Sequence, residues 1–275
     1  MKLTAIPRKV WRKTKDFSRF CKYYWNKVVR RISIDSQPVF IVGCGHSGTS
    51  LLLAILGTHS RIFAIPYESE IAFTDDQKIF QKELEKFDKM TILAGKNRWV
   101  EKTPRHIRYI GKILNWRPDA RILIIVRDGR DVACSIRERL GSLEDGIKRW
   151  VSDNLLGKEY WSNPNVNVVK YEDLVSDFEH TIRGILKFLD EDYEDGMKEY
   201  YKIPRKWYSD KITKPPTPSG KDHAQYRNWQ INQPLFDGRG QWKELSEKEL
   251  SLINDVAGKM LAELGYVDND NLVTE

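Results

Sequence analysis

The sequence predicts an α/β fold, a mainly parallel sheet flanked by helices with a P-loop-like strand-loop-helix, plus an N-terminal basic amphipathic helix. Three observations predict it. From Ser36 onward, short and wholly apolar runs alternate with stretches of helical period, which is the pattern of a sheet covered on both faces. PVFIVGCGHSGTSLLLAIL, residues 38–56, joins one such run to a helix through a glycine-rich turn. And residues 1–31 hold eleven lysines and arginines against Asp16 alone.

The elements follow in order. After Pro7, Val10, Phe17, Cys21, Tyr24 and Val28 recur at helical spacing between basic residues, which predicts an amphipathic helix. Its apolar side either packs on the body of the protein or, with Trp11 and Trp25, rests on an anionic membrane surface. Residues 38–43, 61–65, 121–126 and 166–171 are short, mostly apolar runs and predict strands, and RWVEK, residues 98–102, reads as a short extended piece. Residues 49–57, 71–90, 106–116, 131–140, 143–160, 176–189 and 246–264 predict helices. The stretch 204–242 is rich in Pro, Gly and polar residues with aromatics interspersed, and predicts a long loop covering an active site. The expected organisation is a basic arm over 1–35 and one domain over 36–275, a length that buries one substantial core.

Charge excludes one class of function. The chain carries +7, but the first 31 residues account for +10, so the remainder is −3. That split argues against a generally cationic nucleic-acid binder and for an enzyme-sized body with a basic arm, through which residues 1–31 could touch a membrane. Three widely spaced cysteines, Cys21, Cys44 and Cys134, offer neither a disulfide framework nor a zinc spacing, and suit a reducing compartment. No run reaches the ~18 apolar residues of a membrane span, and no secretory signal is recognisable. A cytoplasmic protein is expected.

The turn at 43–50 has the physics of an anion site. A strand feeding a helix presents backbone N–H groups of the first turn, the helix dipole adds partial positive charge, and Gly43, Gly45 and Gly48 let the backbone close around an anion. The spacing is that of a triphosphate-binding loop without its lysine, since Thr49 and Ser50 follow Gly48 directly. The lost point charge weakens the case for a triphosphate and for magnesium, and favours a single phosphate bearing a less charged group. RILIIVRDGRDVACSIRERL, residues 121–140, offers a second anion site, with Arg127 ending a strand and Ser135 in the next helix.

Together these stretches resemble sulfotransferases that use 3′-phosphoadenosine 5′-phosphosulfate (PAPS). GCGHSGTSLL is similar to the family's 5′-phosphosulfate loop, RILIIVRDGRDVACS to its 3′-phosphate strand and helix, and VVKYEDLVSDFEHTIRGILKFL (168–189) to its Tyr-Glu-Asp-Leu segment. The resemblance implies that Gly45, His46, Ser47, Gly48, Thr49 and Ser50 hold the 5′ end, while Arg127 and Ser135, with Arg139, hold the 3′-phosphate. Tyr171 approaches the adenosine, and Arg239 and Gly240 in GRG match part of a late 3′-phosphate element. The product would be 3′,5′-diphosphoadenosine (PAP), and no metal is required.

The reaction needs an in-line acceptor, a base, and positive charge on the sulfonate and leaving phosphate. Glu68 resembles the family's catalytic glutamate, with Glu70 two residues away as an alternative. Lys102, in WVEKTPRH, matches the lysine that carries charge to the leaving phosphate. His46 stands where the family more often has Arg; an imidazolium there supplies part of that charge, or else His46 is the base and Glu68 orients it. The acceptor is a hydroxyl, with a glycan or glycolipid favoured over a small metabolite or a protein tyrosine, and Trp207, Tyr208, Tyr226 and Trp229 are available to stack on sugar rings. Two other functions fit parts of the pattern: a P-loop kinase or triphosphatase, and a non-catalytic nucleotide- or glycan-binding module.

Overall fold

The computed structural model of the protein describes residues 37–268. The expected basic helix and its membrane contact lie outside them.

Five strands form one all-parallel sheet: β1 (Val39–Gly43), β2 (Ile62–Ala64), β3 (Arg98–Lys102), β4 (Arg121–Val126) and β5 (Val166–Lys170), in the order β2-β3-β1-β4-β5. β1 is buried throughout because it feeds both faces: Val39 and Ile41 point to one core, Phe40 and Val42 to the other. The first core takes α1 (Thr49–Leu56) and α7 (Phe178–Phe188), through Leu52, Leu53, Ile182 and Ile185. The second takes α2 (Gln77–Leu93), α3 (Ile110–Trp116), α4 (Gly129–Leu140), α5 (Leu143–Lys158) and α9 (Glu247–Glu263). Phe40 packs edge-on against Trp99 at 5.4 Å; truncating a core aromatic of this kind costs about 3–5 kcal/mol.

Local chemistry sets the helix ends. Asp76 accepts from the N–H groups of Lys78 and Ile79, so α2 begins at Gln77. The helix expected over 71–90 is therefore interrupted: Ile71–Phe73 forms only a 3₁₀ turn before that cap. The stretch 106–116 likewise divides into a 3₁₀ segment, Pro104–Tyr109, and α3, because Pro104 opens a tight turn straight after β3. A capping box between Ser246 and Glu249 starts α9.

The 204–242 segment covers the carboxyl end of the sheet but is not a loop throughout. It contains α8 (His223–Gln230) and a 3₁₀ turn, Gly220–Asp222. HAQYRNWQ shows no apolar period because polar side chains carry its packing. Asn228 accepts from Tyr208 N–H and donates to Lys211 O, while Asn232, one turn on, bonds both backbone groups of Arg205.

This strand order fixes the site. The chain moves to opposite sides of β1 when it adds β3 and β4, so the two crossovers diverge and leave a crevice beyond the carboxyl ends. Lys102 ends β3 on one side of the β1 turn, Arg127 follows β4 on the other, and Tyr171 follows β5 and opens the short helix α6 (Tyr171–Ser176).

Candidate active site

The turn after β1 is held close to the sheet by the absence of side chains. A Cβ at Gly43 would lie 2.4 Å from Ile125 O, and one at Gly48, where φ is 99°, would lie 2.9 Å from the Tyr171 ring. Gly48 also caps α1 without any side-chain hydrogen bond. The N–H groups of the first turn therefore stay available, at the positive end of the helix dipole, for an anion.

Beside the turn, Arg127 is fixed by backbone. Its Nη1 donates to His46 O at 3.3 Å and its Nη2 to Gly238 O at 2.5 Å, while its plane lies over the Tyr171 ring at 4.6 Å. Asp128 caps α4 and pairs with Arg130, and the buried Asp131 forms only a long ion pair with Arg127, at 3.8 Å, while accepting from the N–H groups of Gly240 and Trp242. Tyr171 donates weakly to Phe236 O at 3.4 Å.

On the other side stands a cluster held by side chains. Glu68 Oε1 accepts from Lys102 Nζ and from Arg227 Nη2, each at 2.5 Å. Arg227, on α8, also reaches Ser50 Oγ at 3.4 Å and lies over the Tyr208 ring at 4.0 Å; Tyr208 OH donates to the same Ser50 Oγ at 3.2 Å. A buried frame sets the loop carrying Glu68: Glu101 Oε1 accepts from Ser69 N–H, Ser69 Oγ and Thr103 Oγ1, and its other oxygen lies 3.3 Å from His106 Nδ1. Burial alone would raise the Glu101 pKa, yet His106, Thr103 and Ser69 hold it below the ordinary carboxylate range.

The titrations separate the candidates for base. Burial pushes the His46 imidazole down to about 3, helped by the neighbouring charge of Arg139, His223, Arg149 and Arg227. In this arrangement, without an anion beside it, His46 is neutral near pH 7 and joined to Ser135 Oγ at 2.9 Å. Burial would raise Glu68, but Lys102 and Arg227 hold it at about 2, a carboxylate clamped between two cations. Glu70 pairs with Arg105 on the exposed surface and does not line the cavity.

Between the sheet and the 204–242 segment lies a cavity of about 680 Å³. Gly45, His46, Gly48, Thr49, Ser50, Glu68, Arg127, Ser135, Arg139 and Tyr171 line it, so ten of the residues singled out in the sequence meet in one place. Four do not reach its wall. Ser47 is buried beneath the turn, Lys102 reaches the cavity only through Glu68, Arg239 turns to Asp237, and Gly240 N–H is taken by Asp131. Gly238 lines the wall in place of Arg239 and Gly240. Sequence reasoning missed Arg227, Arg149, Arg108 and His223, which also line it. Only the run of arginines through 105–149 signalled any of them, and Arg227 lay in a stretch read as loop.

A phosphorylated adenosine donor fits these residues. Ser47 Oγ and Arg127 Nε are buried polar atoms without a hydrogen-bond partner among the described residues, and six arginines line the cavity against Glu68 and Glu138. Fold and site together define a P-loop-like α/β protein with an arginine-lined cavity beyond the carboxyl ends of its strands. Comparison with known proteins carries this further: residues 68–195 match the model described as the sulfotransferase family. The fold of the chain is similar to that of mouse sulfotransferase SULT7A1 complexed with PAP (TM-score 0.57, 17% identity, 83% of this chain and 89% of that one). It is similar also to the sulfotransferase domain from the curacin biosynthetic pathway (TM-score 0.55, 18% identity, 82% and 97%). An uncharacterized protein of Aquifex aeolicus (strain VF5) is 25% identical over a match covering 62% of this chain; the match spans only 27% of that protein. Among the described residues no helix is long and apolar enough to cross a membrane.

Proposed function

We propose that the protein transfers a sulfuryl group from PAPS to a hydroxyl acceptor, with a glycan or glycolipid as the favoured acceptor class. The observation that carries this reading is the continuity of the two anion sites: Arg127 donates directly to His46 O, and His46 shares a hydrogen bond with Ser135. One ligand with phosphates at both ends matches that track better than a compact triphosphate. The turn from Gly45 to Ser50 would hold the 5′ end, Arg127 and Ser135 the 3′-phosphate, and Tyr171 the adenosine, with Arg139 beside them. When bound, PAPS supplies the activated sulfonate and a phosphate leaving group.

The chain's own groups divide the remaining work. Lys102 and Arg227 bring two positive charges to Ser50 and the first turn of α1, where negative charge develops during transfer. In this arrangement Glu68 pairs with both and offsets one of the two charges. An anion arriving at the turn competes for those cations and releases the carboxylate, whose burial then raises its pKa toward that of a working base. Glu68 therefore takes the acceptor proton, while neutral His46 positions Ser135 and shapes the turn. A kinase or triphosphatase is disfavoured because the turn lacks its lysine and both Asp128 oxygens bond Arg130, leaving that carboxylate occupied.

Titration with PAP, followed by transfer from sulfur-35-labelled PAPS to a panel of hydroxylated acceptors, tests the reading. Micromolar PAP binding and label appearing in an acceptor are expected. Turnover of ATP with magnesium and no affinity for PAP would sink it; PAP binding without transfer to any acceptor would point to a binding module.

A further inference from the structure

The phosphate turn lies between two differently built sides of the cavity. On one side Arg127 reaches His46 O beneath the Tyr171 ring. On the other, Arg149 of α5 comes so close that a Cβ at Gly45 would lie 3.0 Å from its Nη2. A nucleotide running from Arg127 to the turn occupies the first side. The second side of the same cavity is then left to the acceptor, which in-line transfer places opposite the leaving phosphate.

That second side is strongly cationic. Arg108 and Arg149 converge on Asp153, which is fully buried: Arg108 Nε lies 2.9 Å from Oδ1, and Arg149 Nε lies 3.5 Å from Oδ2. One carboxylate thus orients two guanidiniums, through atoms that leave further N–H donors on each for a ligand. Asp153 also lies against the Cys44 thiol, which burial and that carboxylate push up, so the thiol remains a protonated partner. Arg139, on α4, adds a third guanidinium. The two glutamates that line the cavity do not balance them, since Glu68 is shared by Lys102 and Arg227 and only Glu138 remains. Partly desolvated guanidiniums in excess call for an anion from outside the chain.

We propose that the acceptor is itself anionic: a saccharide with a carboxylate, sulfate or phosphate group near the hydroxyl that receives the sulfuryl group, gripped by Arg149 and Arg108. Asp153 is the positioning residue for that pair. Tyr226, whose ring lines the same cavity, supplies a face for the sugar. This inference rests on the sulfuryl-transfer reading and narrows its acceptor class.

The test titrates PAP-saturated protein by calorimetry with a uronic-acid, a sulfated and a phosphorylated oligosaccharide, each beside its neutral parent. At least one acidic form should bind about 10-fold or more tighter than its parent, with the advantage shrinking as salt rises, and the strongest of the three identifies the source of the charge. Arg149→Ala and Arg108→Ala should each remove most of that advantage, and Arg149→Lys should keep part of it. Asp153→Asn should raise KM for the acidic acceptor more than it lowers kcat. Arg149→Lys keeps a cation beside the buried Asp153, so it reads the grip on the anion even where Arg108→Ala or Asp153→Asn loosens the fold. Equal affinity for acidic and neutral saccharides, binding of neither, or an advantage untouched in both arginine variants would overturn the proposal. Failure of PAP itself to bind would instead overturn the donor assignment, so the two readings fail separately.

Discussion

Arg127 and Lys102 flank the same turn, one strand either side of β1, yet they are held in opposite ways. Arg127 is set by carbonyl oxygens of His46 and Gly238 and by the Tyr171 ring, with the Asp131 carboxylate no nearer than 3.8 Å, so its guanidinium is oriented mainly by neutral groups. Lys102 is set by Glu68, a carboxylate that Arg227 shares, so its charge is partly offset until something replaces that partner. The first arrangement suits static recognition of an anion. The second suits a site where charge must shift during reaction, because side-chain ion pairs exchange partners far more readily than a guanidinium leaves backbone acceptors.

That contrast can be broken experimentally. Lys102→Ala should lower kcat by about 10²–10³-fold while PAP affinity, measured by calorimetry, stays within about threefold, since the charge acts on the transferring group. Glu68→Gln should give a loss of similar size, and unchanged turnover in both would remove the reacting cluster from the mechanism. Arg127→Ala should do the reverse, weakening PAP by about 30–100-fold, roughly 2–3 kcal/mol, as expected for a charge-assisted contact. Gly48→Ala tests the turn they share: at φ 99° and 2.9 Å from Tyr171 the new methyl should cost about 2 kcal/mol in urea unfolding.

The smallest effect concerns pH. His46 is held at about 3 and Glu68 at about 2, both below their unfolded values of 6.5 and 4.5. A group with a depressed folded pKa contributes stability that is complete above the unfolded value and is lost as pH falls toward the folded one. His46 therefore loses its contribution from pH 6.5 downward, and Glu68 only from 4.5 downward. His46→Gln should flatten the stability profile between pH 6.5 and 4.5, and below 4.5 should leave the part of the fall that Glu68 causes. An unaltered upper limb would mean the imidazole is not buried as described.

The same contrast explains what the sequence made legible. The parallel sheet, the turn and Arg127 are written in contiguous stretches, because a wholly apolar strand followed by its own helix needs no distant partner to be recognised. Ten of the residues named from those stretches line one cavity. What stayed hidden arrives from afar. Arg227 reaches Glu68 across 159 positions, from a helix that Asn228 and Asn232 hold by reading backbone rather than by an apolar stripe. Arg239 looked right by its neighbours but sits beside Asp237, a local partner that takes its guanidinium away from the wall. The burial of His46, which with three arginines nearby makes protonation unfavourable, was not legible either.

Arg205 gives the first helix a property beyond its sequence. Buried at the start of the covering segment, it donates to Ala54 O and to Thr58 Oγ1, at the carboxyl end of α1, and to the carbonyls of Tyr200 and Ile203. Burial lowers its pKa to about 10, still high enough to keep the cation near pH 7. A full positive charge thus sits on the negative pole of an eight-residue helix whose positive pole faces the phosphate turn. Seen from the turn, about 12 Å away along the axis, α1 is no longer a dipole whose far end subtracts from its near end; it behaves as a positive monopole drawn out along a rod.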